Sequence, residues 1–231
     1  MSFFGSMSAE ETAEPTFASG LSPEELADLR RRGQPRHFRR GASLFNEGDR
    51  SGHVALITDG RVKVFSPTAE GKEILLAIRG PGDLLGDLSA IDREPRSATA
   101  TAFEDVDAVI VSAEGFRDFL HSHPRITIGL LETLTRRLRD ADRKRIEFAA
   151  FDSVGRVALR LVELAERFGE KDEDGIRIDL SLSQEELAGW TGASREAVSK
   201  ALTSMRARGW IETRRRGITV LDLDALVRRS T

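Results

Sequence analysis

Hydrophobic and polar residues alternate in short runs over the first half of the chain. Between His37 and Val111, glycine-containing turns separate five such runs, which span 53–58, 61–66, 73–78, 98–102 and 108–111. A period of two is typical of half-buried β-strands. Many short strands of this kind predict an antiparallel barrel or jelly roll. Asp59-Gly60, between the first two runs, indicates a hairpin.

The pattern becomes helical after this region. Ser22-Pro23 starts a short helix and Ser112 caps another, and a continuous pattern from Pro124 to Ala150 predicts a helix of roughly 40 Å. A narrow seam at 3,4 spacing suits pairing with a second copy in a parallel coiled coil, and it comprises Leu131, Leu134, Leu138, Ala141, Arg145 and Phe148. The alternative is burial of the seam against the barrel. Within it, Arg145 needs an acidic partner, for which Asp142 of the partner subunit is the candidate.

Residues 182–208 contain two predicted short helices joined by a tight turn. Ser183 and Glu186 can form a capping box, Gly192 tolerates the turn, and Ser194 can cap the second helix. One side of the second helix is apolar, with Val198, Ala201, Leu202 and Met205. The opposite side suits the major groove of DNA and carries Arg195, Glu196, Ser199, Lys200 and Thr203. The alternative is an αα-hairpin with a solvated charged face.

A basic hairpin follows the second helix. Residues 209–213 and 218–221 read as two strands, and the tip between them carries Arg214, Arg215 and Arg216. Residues 194–216 hold seven basic and two acidic side chains, in a chain whose net charge is −3. This local excess of positive charge favours contact with DNA phosphates or the minor groove. A solvated turn is the alternative.

Composition narrows the remaining function classes. The 231 residues suffice for two modest domains, and the chain has no cysteine, which excludes disulfides and cysteine-ligated iron–sulfur clusters. The four histidines show no ligand pattern, so we expect no metal. No apolar run long enough for a membrane span and no signal peptide occur, so a cytoplasmic protein is expected. No convergent catalytic set is found, which predicts that the protein is not an enzyme.

The order of barrel, long helix and winged helix, together with three motifs, resembles the cyclic-AMP receptor protein and fumarate–nitrate regulator (Crp/Fnr) family of bacterial transcription factors. The resemblance covers about residues 21–225, and RRLRDAD and LAERFG are most similar to actinobacterial members. The motifs are 86–90 with 96–99, 151–156 and 191–200.

The resemblance implies an α+β fold class. The polar, irregular sequence of residues 1–20 separately predicts a disordered tail. It would precede an antiparallel β-barrel or jelly-roll effector domain that resembles cyclic-nucleotide-binding domains (21–123). A dimerisation helix (124–151) and a winged helix-turn-helix DNA-binding domain (152–231) would follow, with a hinge at Asp152 and Ser153.

The resemblance also implies a cyclic-nucleotide site, with phosphate and ribose contacts from Gly86, Asp87, Leu88, Ser89, Arg96 and Ser97. The guanidinium of Arg96 would hold the phosphate, with the hydroxyl of Ser97 as a further donor, and Asp87 would accept the ribose 2′-hydroxyl. A salt bridge from Arg96 to Asp87 or Asp92 is the alternative. Base contacts would fall to Ala141 and Asp142.

Two departures from the family pattern leave the identity of the ligand undecided. The ribose-reading residue is usually glutamate, and Asp87 is one methylene shorter. The family reads adenine with hydroxyl or amide side chains, whereas Ala141 carries no polar group and Asp142 can also accept from a guanine edge. Cyclic AMP, cyclic GMP, a cyclic dinucleotide and no ligand at all remain as interpretations. Any effector would act by shifting populations of the long helix and the winged helices.

The resemblance makes more specific predictions about DNA recognition than about the ligand. The resemblance implies that Arg195 donates to guanine O6 and N7, that Glu196 accepts from cytosine N4, and that Lys200 reaches a guanine or a phosphate. A homodimer would place two such helices roughly 34 Å apart on a palindrome resembling TGTGA-N6-TCACA. RNA polymerase is a further candidate partner.

Overall fold

The computed structural model describes residues 15–50, 52–69, 71–180, 182–214 and 217–230. The chain divides into two compact units, an N-terminal unit of residues 15–141 and a C-terminal unit that begins at Asp142. The long helix starts in the first unit and ends in the second. No helix among the described residues is long and apolar enough to cross a membrane.

The N-terminal unit combines helices with short strands. A 3₁₀ turn (Ala18–Gly20) precedes its first helix, and two helices follow its last strand. The elements are α1 (Pro23–Arg31), β1 (Gly33–Phe38), β2 (Ser43–Phe45), β3 (His53–Asp59), β4 (Val62–Pro67), β5 (Glu73–Arg79), β6 (Leu84–Leu85), α2 (Asp87–Asp92), β7 (Thr99–Ala102), β8 (Val106–Ser112), α3 (Ala113–Ser122) and α4 (Pro124–Ala150).

The described strands of this unit form two antiparallel four-stranded sheets, with orders β1-β8-β3-β6 and β2-β7-β4-β5. This arrangement confirms the predicted antiparallel barrel, and each of the five predicted runs contains a strand. The short strands β1, β2 and β6 were not predicted. Each has little alternation in its sequence, so only the completed sheets reveal its place.

The predicted hairpin at Asp59-Gly60 is wrong. Strand β3 pairs with β8 and β6, whereas β4 pairs with β5 and β7, so the two strands lie in different sheets. Gly60 has a φ of 76°, and a Cβ there would lie 2.2 Å from the carbonyl oxygen of Asp105. The glycine therefore allows a tight connection between strands of different sheets. The Asp-Gly pair in the sequence does not distinguish such a connection from a hairpin.

The prediction of disorder over residues 1–20 is wrong for the described end of this segment. Phe17 is buried, and its ring lies 6.2 Å from that of Phe116 in an edge-to-face arrangement. The carbonyl of Gly20 accepts a hydrogen bond of 3.0 Å from Arg125, which also pairs with Glu25. Packing onto the core therefore orders residues 17–20, and residues 1–14 lie outside the described residues.

The C-terminal unit has a winged helix-turn-helix architecture. Its elements after α4 are α5 (Ser153–Phe168), β9 (Gly169–Asp172), β10 (Gly175–Ile178), α6 (Gln184–Thr191), α7 (Arg195–Ala207), β11 (Ile211–Arg214), β12 (Gly217–Val220) and α8 (Leu223–Arg229). The strands form a sheet of order β11-β12-β10-β9. Asp152 caps α5, since its Oδ1 accepts a 2.8 Å hydrogen bond from the backbone N–H of Gly155. The sequence prediction contained the two short helices and the β11–β12 hairpin, but it assigned no strands at β9 and β10.

Candidate functional site

The first candidate site centres on the guanidinium of Arg96, which is 3% exposed. Its Nη1 donates to the carbonyl of Gly86 at 3.0 Å, and its Nη2 donates to the carbonyl of His53 at 2.5 Å. The guanidinium also lies 4.2 Å from the centroid of the Phe45 ring, which stabilises a cation. The Nε is buried and has no hydrogen-bond partner among the described residues.

No carboxylate in the described part of the chain forms an ion pair with Arg96. The alternative salt bridge to Asp87 or Asp92 is therefore not formed. Burial lowers the pKa of Arg96, and the more distant charges of Asp49 and Asp87 oppose that change. A buried cation that keeps one donor unsatisfied is costly unless an anion joins it, so this environment fits an anionic ligand.

The backbone at Gly86 makes room for this guanidinium. Gly86 joins β6 to α2 with a φ of 78°, a conformation that favours glycine. A Cβ at this position would lie 2.2 Å from Nη1 of Arg96. The glycine and the arginine of the motif are thus required together, because any larger residue would displace the cation.

Asp87, the predicted ribose-binding residue, is also buried and is held by α4. Its Oδ2 lies 2.8 Å from Nη1 of Arg137, and Nη2 of Arg137 donates to the carbonyl of Leu84 at 3.3 Å. Sequence reasoning missed Arg137, because it is one of several arginines on a charged helix. The contact ties the β6–α2 segment to the long helix within the N-terminal unit.

The other predicted ligand contacts differ in exposure. Ser89 is buried and donates to the carbonyl of Pro95 at 3.3 Å, whereas Leu88 and Ser97 are exposed. The structure thus brings Gly86, Asp87 and Arg96 together as expected. Ala141 and Asp142 are consecutive exposed residues of α4.

His53 borders Arg96 and contributes to the electrostatics of the site. Burial lowers the pKa of His53, and the positive charges of Arg96 and Arg36 lower it further. The imidazole therefore favours its neutral form. The cation of the site is the arginine, and the histidine contributes its carbonyl oxygen.

The second candidate site is the helix-turn-helix. Ser183 and Glu186 form the predicted capping box of α6, and Ser194 caps α7 by accepting a 3.1 Å hydrogen bond from the N–H of Ala197. Gly192 ends α6 with a φ of 59°, and a Cβ there would meet the ring of Phe148 at 2.0 Å. Local capping signals therefore fix both ends of the turn.

Helix α7 has one buried face and one exposed face, as predicted. Val198, Ala201, Leu202 and Met205 are buried. The opposite face is polar, with Arg195, Glu196, Lys200 and Thr203 exposed and Ser199 half-buried. A hydrogen bond from its own backbone N–H lowers the pKa of Glu196, assisted by Ser194 and by the charges of Arg195 and Lys200. This carboxylate is ionised at neutral pH and can accept hydrogen bonds.

Strands β11 and β12 form the hairpin that follows α7, with Arg214 opposite Gly217 at its last pair. Arg214 lies 3.2 Å from Glu212, an exposed ion pair that contributes little to stability. Arg215 and Arg216 lie outside the described residues. Arg206 donates to Thr203 at 3.0 Å and to Thr213 at 3.3 Å, which links α7 to β11.

The exposed apolar stripe of α4 differs in part from the predicted seam. Ile128, Leu131 and Leu138 are 57%, 54% and 63% exposed. Leu134 packs partly against the core of its own unit, as the alternative of burial expects, and its place in the dimer seam stays a prediction. Phe148 contacts the helix-turn-helix at Gly192. Arg145 lies 3.7 Å from Asp142 of the same helix, and its predicted pairing across subunits stays a prediction.

Comparison with known proteins assigns both units. Residues 35–123 match the cyclic nucleotide-binding domain, and residues 155–229 match the Crp-like helix-turn-helix domain. A CRP-like cAMP-activated global transcriptional regulator from Mycobacterium tuberculosis is 37% identical over 211 residues, which is 91% of this chain and 94% of the relative. The chain belongs to the Crp/Fnr family of transcription regulators. This confirms the resemblance inferred from the three motifs.

Further comparisons agree with this family. The cyclic AMP receptor protein of Thermus thermophilus is 32% identical over 82% of this chain and 85% of its own length. The crystal structure of a CRP-family transcriptional regulator from the same organism gives a TM-score of 0.71 at 27% identity, and covers 84% of this chain and 96% of that one. The present Crp/Fnr regulator therefore combines a ligand-binding domain with a DNA-binding helix-turn-helix.

Proposed function

We propose that this Crp/Fnr regulator is a homodimer that binds palindromic DNA, and that a cyclic nucleotide in its β-barrel controls its DNA affinity. The observation that supports an effector most strongly is the buried guanidinium of Arg96, with its unsatisfied Nε and no carboxylate partner among the described residues. Such a group is costly in a protein that never binds an anion.

Cyclic AMP is the first candidate effector. Arg96 would hold the phosphate through charge-assisted hydrogen bonds, Ser97 would add a hydroxyl donor, and Asp87 would accept from the ribose. The ion pair between Asp87 and Arg137 supports this role, since it holds the shorter carboxylate in a fixed position at the first residue of α2. The named activity of the relative from Mycobacterium tuberculosis agrees with this choice.

A guanine-containing effector, cyclic GMP or a cyclic dinucleotide, is the second candidate. Asp142 favours it, because its exposed carboxylate can accept from the N1–H and N2–H₂ edge of guanine, whereas its neighbour Ala141 offers no polar atom. A regulator that acts without a ligand is the remaining alternative. It would require that Arg96 stays buried without an anion.

We propose that α7 enters the major groove. Arg195 would donate to guanine, Glu196 would accept from cytosine, and Lys200 would contact a guanine or a phosphate. The wing residues Arg214, Arg215 and Arg216 would contact phosphates of the DNA. Ser183 and Ser194, at the N-termini of α6 and α7, would approach the sugar–phosphate backbone of the DNA. The target would resemble TGTGA-N6-TCACA, with weaker discrimination at the base that faces Lys200.

Dimerisation would use the exposed stripe on α4. Ile128, Leu131 and Leu138 lie on this stripe, and the exposed Thr135 lies between the last two. The four positions are three, four and three residues apart, which is the spacing of a coiled-coil seam. A pair of subunits would present two α7 helices to successive major grooves. We place the protein in the cytoplasm, with RNA polymerase as a further candidate partner.

Isothermal titration calorimetry with cyclic AMP, cyclic GMP and cyclic di-GMP tests the effector, and sedimentation velocity tests the dimer. We expect one nucleotide to bind and the chain to sediment as a dimer at micromolar concentration. Absence of binding by all three would refute the cyclic-nucleotide proposal, and a monomer would refute the palindrome model.

A further inference from the structure

The last two turns of α4 belong to the C-terminal unit, where Glu147 forms a buried ion pair with Arg160 of α5. Glu147 is 8% exposed and Arg160 is 5% exposed. Charged residues are rarely buried to this extent unless they are paired. The pair therefore joins the end of the long helix to the first helix of the DNA-binding domain in a well-defined geometry.

Two further groups complete this cluster. Arg160 also pairs with Glu163, one turn along α5, and Nζ of Lys144 lies 3.6 Å from the same carboxylate. The cationic groups of Arg160 and Lys144 each lie 5.8 Å from the ring centroid of Trp190 in α6. The ionic cluster thus reaches the first helix of the helix-turn-helix.

The next residue of α4 makes a second contact with the same region. The ring of Phe148 lies against Gly192 in the turn between α6 and α7. The guanidinium of Arg156 lies 4.7 Å from this ring, and its Nε donates to the carbonyl of Thr191 at 2.7 Å. The end of α4 therefore meets the turn that directly precedes the DNA-reading helix.

A buried ion pair is weak evidence for stability, because desolvation offsets most of the attraction between the charges. Its strict geometry can instead select one arrangement of packed elements over others. Phe148 fits closely against Gly192, and Glu147 adds a directional contact, because its carboxylate has to face Arg160 from the last turn of α4. The ion pair therefore places a requirement on the rotation of this turn that apolar packing alone does not impose.

We propose that Glu147 and Arg160 are positioning residues for DNA recognition. Their ion pair selects the arrangement in which the end of α4, α5 and the α6–α7 turn are held together, and it thereby sets the DNA affinity of the nucleotide-free protein. This inference rests on the DNA-binding role of the family. Its test also uses the proposed palindrome, and it is independent of the proposed effector.

The test replaces both charges by apolar residues, Glu147→Leu with Arg160→Met, in the full-length chain. We expect a melting temperature within about 4 °C of the wild type, because apolar side chains of similar volume replace the pair. We also expect the affinity of the nucleotide-free protein for the palindrome, measured by fluorescence anisotropy, to change by about fivefold or more. A rise in this affinity would identify the observed arrangement as the one that binds DNA weakly. A fall in this affinity would identify it as the arrangement that is competent to bind DNA.

Two single variants keep the proposal falsifiable. Glu147→Gln retains the shape of the side chain and removes its charge, so it should shift DNA affinity in the same direction by a smaller factor. Glu170→Gln is the matched control, because it removes a carboxylate of the same unit from an exposed ion pair with Arg177. It should leave DNA affinity unchanged.

Two results would overturn the inference. One is a folded double variant that binds DNA with wild-type affinity. If the double variant does not fold, unchanged affinity in a folded Glu147→Gln variant decides against it equally. A wild type that ignores every nucleotide would refute only the effector proposal, since the positioning role is measured without nucleotide.

Discussion

Replacing Arg96 by methionine gives the sharpest prediction about the barrel. In the wild type the guanidinium is buried with an unsatisfied Nε, which costs about 1–3 kcal/mol. Arg96→Met removes that cost, but it also removes the contact with Phe45 and two hydrogen bonds to carbonyl groups. These contributions are similar in size and opposite in sign. We therefore expect the nucleotide-free stability to change by no more than about 2 kcal/mol.

The response to an effector should change far more. Two charge-assisted hydrogen bonds to a phosphate are together worth about 3–6 kcal/mol, so the variant should bind roughly 10²–10⁴-fold more weakly. At about a hundredfold excess over its Kd, a ligand stabilises the wild type by about 2.7 kcal/mol. The variant should gain almost nothing at the same concentration.

Thermal unfolding of the full-length chain, with and without cyclic AMP, cyclic GMP or cyclic di-GMP, measures this difference. Arg61→Met is the matched control, because Arg61 pairs with Glu104 at 2.6 Å and has no contact with Arg96 among the described residues. The control should keep the wild-type shift. An equal shift in Arg96→Met and the wild type would refute the assignment of Arg96 to the anion.

Three further predictions concern the DNA-reading helix, the dimer and the α4–α5 junction. Arg195→Ala should weaken binding to the palindrome by about 1–3 kcal/mol and barely affect a random duplex, as competition anisotropy can show; equal losses would exclude base reading. Leu138→Glu places a charge in the exposed stripe, so sedimentation velocity should show a shift towards monomer, and an intact dimer would remove α4 as the interface. The Gly155 N–H and Arg229 lower the pKa of Asp152. The ionised carboxylate therefore stabilises the fold above its unfolded pKa, and this stabilisation is lost as the pH falls through the folded pKa. Asp152→Asn should therefore lose less melting temperature between about pH 7 and about pH 3 than the wild type, and an equal loss would contradict this cause.

Features set by neighbouring residues were predictable from the sequence. The caps at Ser183 and Ser194 and the glycine of the turn act within a few residues, so their pattern alone identified α6 and α7. The buried face of α7 follows from helical periodicity in the same way. The glycine and arginine of the barrel motif came from the family resemblance, and the structure places them together.

Features set by distant contacts were not predictable in this way. The crossing between sheets needs a glycine at position 60, because a Cβ there would meet the carbonyl of Asp105, which lies in another loop. Leu134 has the spacing of the seam, but it packs partly against a core cluster that includes residues far away in the sequence, such as Val54 and Leu84. The ion pair of Asp87 with Arg137 joins residues fifty positions apart, and several neighbouring arginines could have formed it on pattern alone.

The central claim is that an effector bound in the barrel controls palindrome recognition by a dimer. Fluorescence anisotropy of a labelled TGTGA-N6-TCACA duplex, titrated with the wild type in the presence of each nucleotide and in its absence, measures this directly. We expect one nucleotide to change the Kd by about tenfold or more, with no comparable change on a scrambled duplex. The same Kd on both duplexes under every condition would contradict the account.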